Sequence, residues 1–134
     1  MLRDLLDTNV CIYVIKHRPP AVREVFNRHQ GQMAVSAIPQ AALWHGAERS
    51  ADRSRNLAVV EDFCSRLAVL PYADKAAHYG SIRADLERQG KPIGVNDLRI
   101  AAQARSEGLV LVSNSLREFE RVAGLRLENW VAAA

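Results

Sequence analysis

Short apolar runs separated by helix-length segments constrain this chain more than any other feature. The runs lie at 2–6, 33–35, 68–70, 109–112 and 125–127. Each is three to five residues long, the length of a buried strand and too short for a buried helix. Strands that alternate with helices predict a parallel sheet with helices on both faces, an α/β fold. In open sheets of this kind, ligand sites gather where the strands end. The first run, Leu5-Leu6, leads straight into Asp7-Thr8-Asn9, so one carboxylate is held at a strand end by its backbone.

The segments between the runs read as six helices. Asp7, Thr8 and Asn9 offer caps for the first, running to about Lys16, because their side chains accept from orphan first-turn N–H groups. Arg18-Pro19-Pro20 breaks it. Ala21 to about His29 forms the second, with Val22, Val25 and Phe26 on one face. Ser36 to Glu48 forms the third, with Pro39 in its first turn. Ser50 to Leu67 forms the fourth, along Leu57, Val60, Cys64 and Leu67. Asp74 caps a fifth that runs to about Gln89. After the loop 90–94, Asn96-Asp97 opens the sixth, Leu98 to Glu107, closed by Gly108. Trp130 is expected to pack the tail onto the body, and Ala132 to Ala134 to fray. No repeat or linker interrupts the chain, so 1–134 reads as one domain.

Composition narrows the class. No apolar run approaches the roughly 20 residues of a membrane span, and the N-terminus lacks a signal-peptide layout. The expectation is a cytoplasmic protein without membrane contact. Cys11 and Cys64 are the only cysteines and lack metal-type spacing, which suits reduced core thiols. The net charge is +3, a mild excess that gains weight if several acids are gathered in one pocket, since the remaining surface is then more basic.

Three polar clusters could meet at one end of a parallel sheet: Asp7 after the first run, Asp97 after Gly94-Val95-Asn96, and Ser113-Asn114-Ser115 after Leu109 to Val112. Carboxylates brought together repel one another and call for a divalent cation or raised pKa values. An oxygen-only set suits Mg²⁺ or Mn²⁺. Plainer readings stand beside this one. Asp7 and Asp97 also read as simple caps, and Ser113 and Ser115 as turn residues. His17, His29, His45 and His78 share no ligand spacing. Trp44 and Tyr79 fit helix stripes. Arg117, Arg121 and Arg126 read either as a solvated face or as phosphate contacts near the Ser113 rim.

Motifs along nearly the whole chain resemble the PIN-domain ribonucleases, and among them the VapC toxins of VapBC toxin–antitoxin pairs. They are Leu6-Asp7-Thr8-Asn9-Val10-Cys11-Ile12-Tyr13, then Ser36-Ala37-Ile38 with Leu43 and Gly46-Ala47-Glu48. Tyr79 to Leu86, Pro92-Ile93-Gly94-Val95-Asn96-Asp97, Leu111-Val112-Ser113-Asn114, Arg117 to Val122, and Gly124-Leu125 to Trp130 follow. The resemblance implies a three-layer α/β/α domain, a Mg²⁺- or Mn²⁺-dependent endoribonuclease with tRNA among its substrate classes, a homodimer and a VapB-type antitoxin partner. Asp7 and Asp97 fall on two of the family's metal-binding acids. Asn9, Ser113 and Arg117 fall where ligands or phosphate would be oriented.

Two departures follow from the same resemblance. The family's Glu, one residue before the Leu that sits at Leu43, is Ala42 here. Neighbouring Gln40 and Glu48 are not in register with it; for Gln40, a two-residue displacement turns a helical side chain by roughly 200°. The family's Asp or Asn at the position of Ser115 is a hydroxyl. Ala42 removes a charge, and the Ser115 hydroxyl can position a metal-bound water but brings none, so the expectation is a weak or inactive nuclease with fold and partner binding intact. The rival reading is a catalytically degenerate dimer that mainly binds an antitoxin, along apolar helix faces near Ile12, Ile15, Leu43 and Trp44. A phosphohydrolase of another α/β family would need a second acid close to Asp7, and none follows it.

Overall fold

A computed structural model describes residues 1–17, 20–72 and 76–131. The elements, in order, are β1 (Asp4–Leu6), α1 (Thr8–His17), α2 (Pro20–Arg28), β2 (Met33–Ser36), α3 (Ala37–Glu48), α4 (Arg53–Ser65) and β3 (Ala68–Leu70). They continue with α5 (Ala76–Arg88), α6 (Val95–Glu107), β4 (Val110–Val112), α7 (Leu116–Phe119) and β5 (Leu127–Glu128). The proline break at Arg18-Pro19, the Asp74 cap and the tail 132–134 lie outside the described residues.

The strands form one five-stranded sheet in the order β3-β2-β1-β4-β5, and all four pairings are parallel. β1 is central because Asp4, Leu5 and Leu6 are buried on both faces and bonded along both edges, as strands of a covered parallel sheet are. Register decides what happens at its end. Leu6 sits level with Val35 on one side and Val112 on the other. The next residues, Asp7 and Ser113, therefore emerge together at the carboxyl rim. This is also where the order reverses between β1 and β4, the switch point at which such sheets open a crevice.

Alternation along the strands splits the interior into two layers. Leu5, Ala34 and Leu111 face Ile82, Leu86, Ile100, Ala101 and Phe119. Leu6, Val35, Val110 and Val112 face Val10, Cys11, Leu43, Val60, Cys64 and Trp130. The expected three layers are present. α6 is buried over most of its circumference, and its alanines let it lie close to the sheet. Gly108 ends it at φ +68°, with Leu109 N–H donating to Ala104 O at 2.9 Å, a left-handed stop.

Several boundaries differ from the sequence reading. α6 starts at Val95, with Gly94 as its N-cap; Asp97 therefore stands in the first turn and does not precede it. α4 starts at Arg53, after Ser50. The last strand is Leu127–Glu128, one or two residues later than expected. The four-residue helix α7 was not anticipated, because so short a helix carries no apolar period.

Candidate active site

Asp7 is 2% exposed, and its two oxygens have different jobs. Oδ1 accepts the Val10 N–H at 2.8 Å, which caps α1. Oδ2 accepts the Ser113 hydroxyl at 2.5 Å. Ser113 in turn accepts the Ser115 N–H at 2.9 Å. The cap and ligand readings of Asp7 are thus compatible: one oxygen fixes the helix, and the carboxylate is clamped across the β1/β4 switch point. Burial pushes its pKa up, and the bonds from Ser113 and Val10 only partly offset this.

Asp97 comes to the same rim from the first turn of α6. Its pKa is pushed up to about 6, first by burial, then by a hydrogen bond and charge repulsion from Glu118, and then by Asp7. Burial and a neighbouring carboxylate both disfavour the charged form of Asp97. Glu118 is a carboxylate at this rim that sequence reasoning did not single out. It lies in the first turn of α7, so its position depends on a helix that was not foreseen.

The other expected residues are placed as follows. Asn9 is exposed on the first turn of α1, and Ser115 is exposed at the start of α7, where its side chain makes no capping bond. Arg117 is exposed on α7. Ala42 is exposed on α3, where it lines a groove of about 540 Å³ together with Ile12, Ile15, Lys16, Leu43 and Arg49. A second groove of about 490 Å³, walled by Phe26, Phe63 and Leu67, shares Ile15 and Val59 with the first. Trp44 packs against the core instead of lining either groove.

The donors at the rim are hard oxygens: three carboxylates and the Ser113 hydroxyl. Among the described residues, no Lys, Arg or His forms an ion pair with Asp7, Asp97 or Glu118. The buried Asn114 Oδ1 beside them has no hydrogen-bond partner. Asp7 and Asp97, both raised in pKa and without a cationic partner among the described residues, suit a hard divalent ion such as Mg²⁺ or Mn²⁺. The set is incomplete, since among the described residues no three His, Cys, Asp or Glu side chains form a ready metal-holding group.

Comparison with known proteins bears on the family and the fold. The model of the PIN domain matches residues 5–125. A Ribonuclease VapC2 from Haemophilus influenzae is 60% identical over 132 residues, which cover 98% of this chain and 100% of the relative. A tRNA(fMet)-specific endonuclease VapC from Shigella flexneri is 54% identical, over 97% of this chain and 99% of the relative. The crystal structure of DNA-bound VapBC from Salmonella typhimurium contains a chain that superposes with a TM-score of 0.93 at 52% identity, covering 97% of this chain and 99% of that one.

Proposed function

The chain belongs to the PIN domain family, in its VapC branch, and from that premise we propose that it is a toxin-type endoribonuclease with an incomplete acid site. The observation that carries this reading is the convergence of Asp7, Asp97 and Glu118 at one strand rim without a cationic partner. A fold that only needed to be stable would pair or avoid such charges.

Asp7 and Asp97 would hold Mg²⁺ or Mn²⁺, with Glu118 beside Asp97 adding to the acidic side. The ion would supply charge neutralisation and Lewis acidity at the scissile phosphate. The chain's own residues do the rest. Ser113 orients Asp7, and the Val10 N–H keeps that carboxylate from rotating. In the metal-free protein Asp97, with Glu118 beside it, takes up a proton more readily than an ordinary carboxyl does. Asn9 and Arg117, both exposed at this end of the molecule, orient the RNA backbone. Ala42 leaves the site one carboxylate short, which weakens ion binding and slows cleavage.

The same chain is proposed to bind an antitoxin of the VapB type and to form a homodimer. The two joined grooves support the first claim. Ile12, Ile15 and Leu43 provide apolar anchors, while Lys16 and Arg49 provide positive flanks. A reading in which binding dominates over turnover is favoured by Ala42 itself, whose methyl group lines the groove. RNA cleavage by the protein as it stands and by Ala42→Glu, with Mn²⁺ present, separates the two. The nuclease reading expects a clear gain in Ala42→Glu that Asp97→Asn abolishes; equal inactivity of both proteins leaves the binding role alone.

A further inference from the structure

The solvent face of α1 carries an aromatic pair that the acid site does not use. At 100° per residue, Asn9, Tyr13 and Lys16 fall within one stripe, and His17 stands beside Tyr13. The Tyr13 and His17 rings lie 4.6 Å apart between centroids and are tilted by 41°. His17 and Lys16 are exposed, and Tyr13 is half-buried. Among the described residues, Lys16 forms no ion pair, and neither the Tyr13 hydroxyl nor the His17 ring takes part in a hydrogen bond. A ring pair at i and i+4 helps a helix, but that role requires neither an exposed ring nor an unpaired cation next to it.

We propose that Tyr13 and His17 form a stacking platform for an unpaired base of the RNA, with Lys16 taking the adjoining phosphate. The inference rests on the nuclease reading and adds where the strand runs. Asp7 caps α1, and Tyr13 follows six residues later, about 9 Å along the axis. Tyr13 is turned roughly 120° from Asp7 about the axis, so a strand whose phosphate lies at the acids would reach these rings with a nearby base by following exposed Asn9 around α1. Single-stranded RNA is recognised through splayed bases stacked on aromatic side chains, with cations along the backbone. Lys16 also lines the groove that contains Ala42, so a protein segment seated in that groove would cover the phosphate end of the platform and compete with RNA.

The test uses the protein as it stands, whose missing carboxylate allows binding to be followed with little turnover. The probe is a single-stranded oligoribonucleotide carrying 2-aminopurine, whose fluorescence is quenched by stacking. The proposal expects quenching on binding. It also expects a roughly tenfold loss of affinity, together with loss of quenching, in Tyr13→Ala and in His17→Ala. Tyr13→Phe should keep both signals. Lys16→Ala should weaken binding of all sequences and lower the salt slope by about one. His17 is exposed, so His17→Ala carries the test even if Tyr13→Ala fails to fold. Unchanged affinity and quenching in the folded alanine variants would overturn the platform alone. A parent protein that binds no RNA would overturn the platform together with the nuclease reading.

Discussion

Asp4 and Asp7 stand three residues apart on and just beyond the same strand, one 0% and the other 2% exposed, yet their surroundings are opposite. Asp4 receives His29 Nδ1 at 2.7 Å and pairs with Arg3. Arg3 continues to Glu128 at 2.5 Å, and Glu128 accepts the Trp130 indole N–H at 2.9 Å. Trp130 closes the loop by packing edge-on against His29, at 4.7 Å between centroids. That end of β1 is a network of paired charges and hydrogen bonds tying strand and tail together. Among the described residues, Asp7 is bonded by an amide and a hydroxyl, and Asp97 and Glu118 are the acids gathered near it. Buried charge that is compensated reads as structure; buried charge of one sign, held rigidly at a switch point, reads as a site waiting for a cation.

If that contrast is right, the two aspartates fail differently. Asp4→Ala should lose about 3 kcal/mol in urea unfolding, since it strips a fully buried acceptor from Arg3 and His29. Asp7→Asn should stay within about 1 kcal/mol of the parent, because Asn caps a helix as well as Asp does, while ion binding is lost. Equal destabilisation by both substitutions would break the comparison. The next largest effect is on activity. Ala42→Glu should raise Mn²⁺-supported RNA cleavage by roughly 10–100-fold, the usual worth of a residue that supports a metal shell, and no gain would remove Ala42 from the explanation.

The pH dependence sharpens the contrast because the two ends carry opposite signs. Folded Asp97 keeps its proton to about pH 6, against 3.8 for an ordinary Asp. Between those values the folded state binds more protons than the unfolded one, so metal-free stability falls as pH rises through this window and then levels off. Asp7 adds to the same trend. Glu128 is held below its usual value, chiefly by its bond to Arg3; its contribution is present above the ordinary Glu range and is lost on acidification. Asp97→Asn should flatten the first slope and Glu128→Gln the second, in thermal melts between pH 3 and pH 8 at fixed salt. The smallest effect is expected for Ser113→Ala, about 1 kcal/mol for the lost hydroxyl bond, with weaker ion binding as Asp7 loses its clamp.

Much of this was legible before the structure. The alternation of apolar runs contains the layered parallel sheet, and Asp7 and Gly108 stand where strand-end and helix-stop chemistry require them. The acid site was only half legible. Ser115-Leu116-Arg117-Glu118 spells a capping box, yet Ser115 makes no capping bond and Glu118 turns to Asp97. No local rule reveals that a loop brings residues 97 and 118 together. The start of α6 was misplaced because Gly94, its N-cap, has no side chain to announce it. The Asp4 network was invisible for a related reason: its members lie at positions 3, 4, 29, 128 and 130, and only the folded chain makes them neighbours. Ala42 was noticed solely through the family resemblance, since an alanine on a helix has no signal of its own.

The central claim is that the uncompensated end of β1 is a divalent-cation site. Anomalous diffraction from a crystal soaked in MnCl₂ tests it most directly. The account predicts a manganese peak between the Asp7 and Asp97 carboxylates that disappears in Asp97→Asn. A peak only at other carboxylates, or none at this rim with manganese in excess, would contradict it.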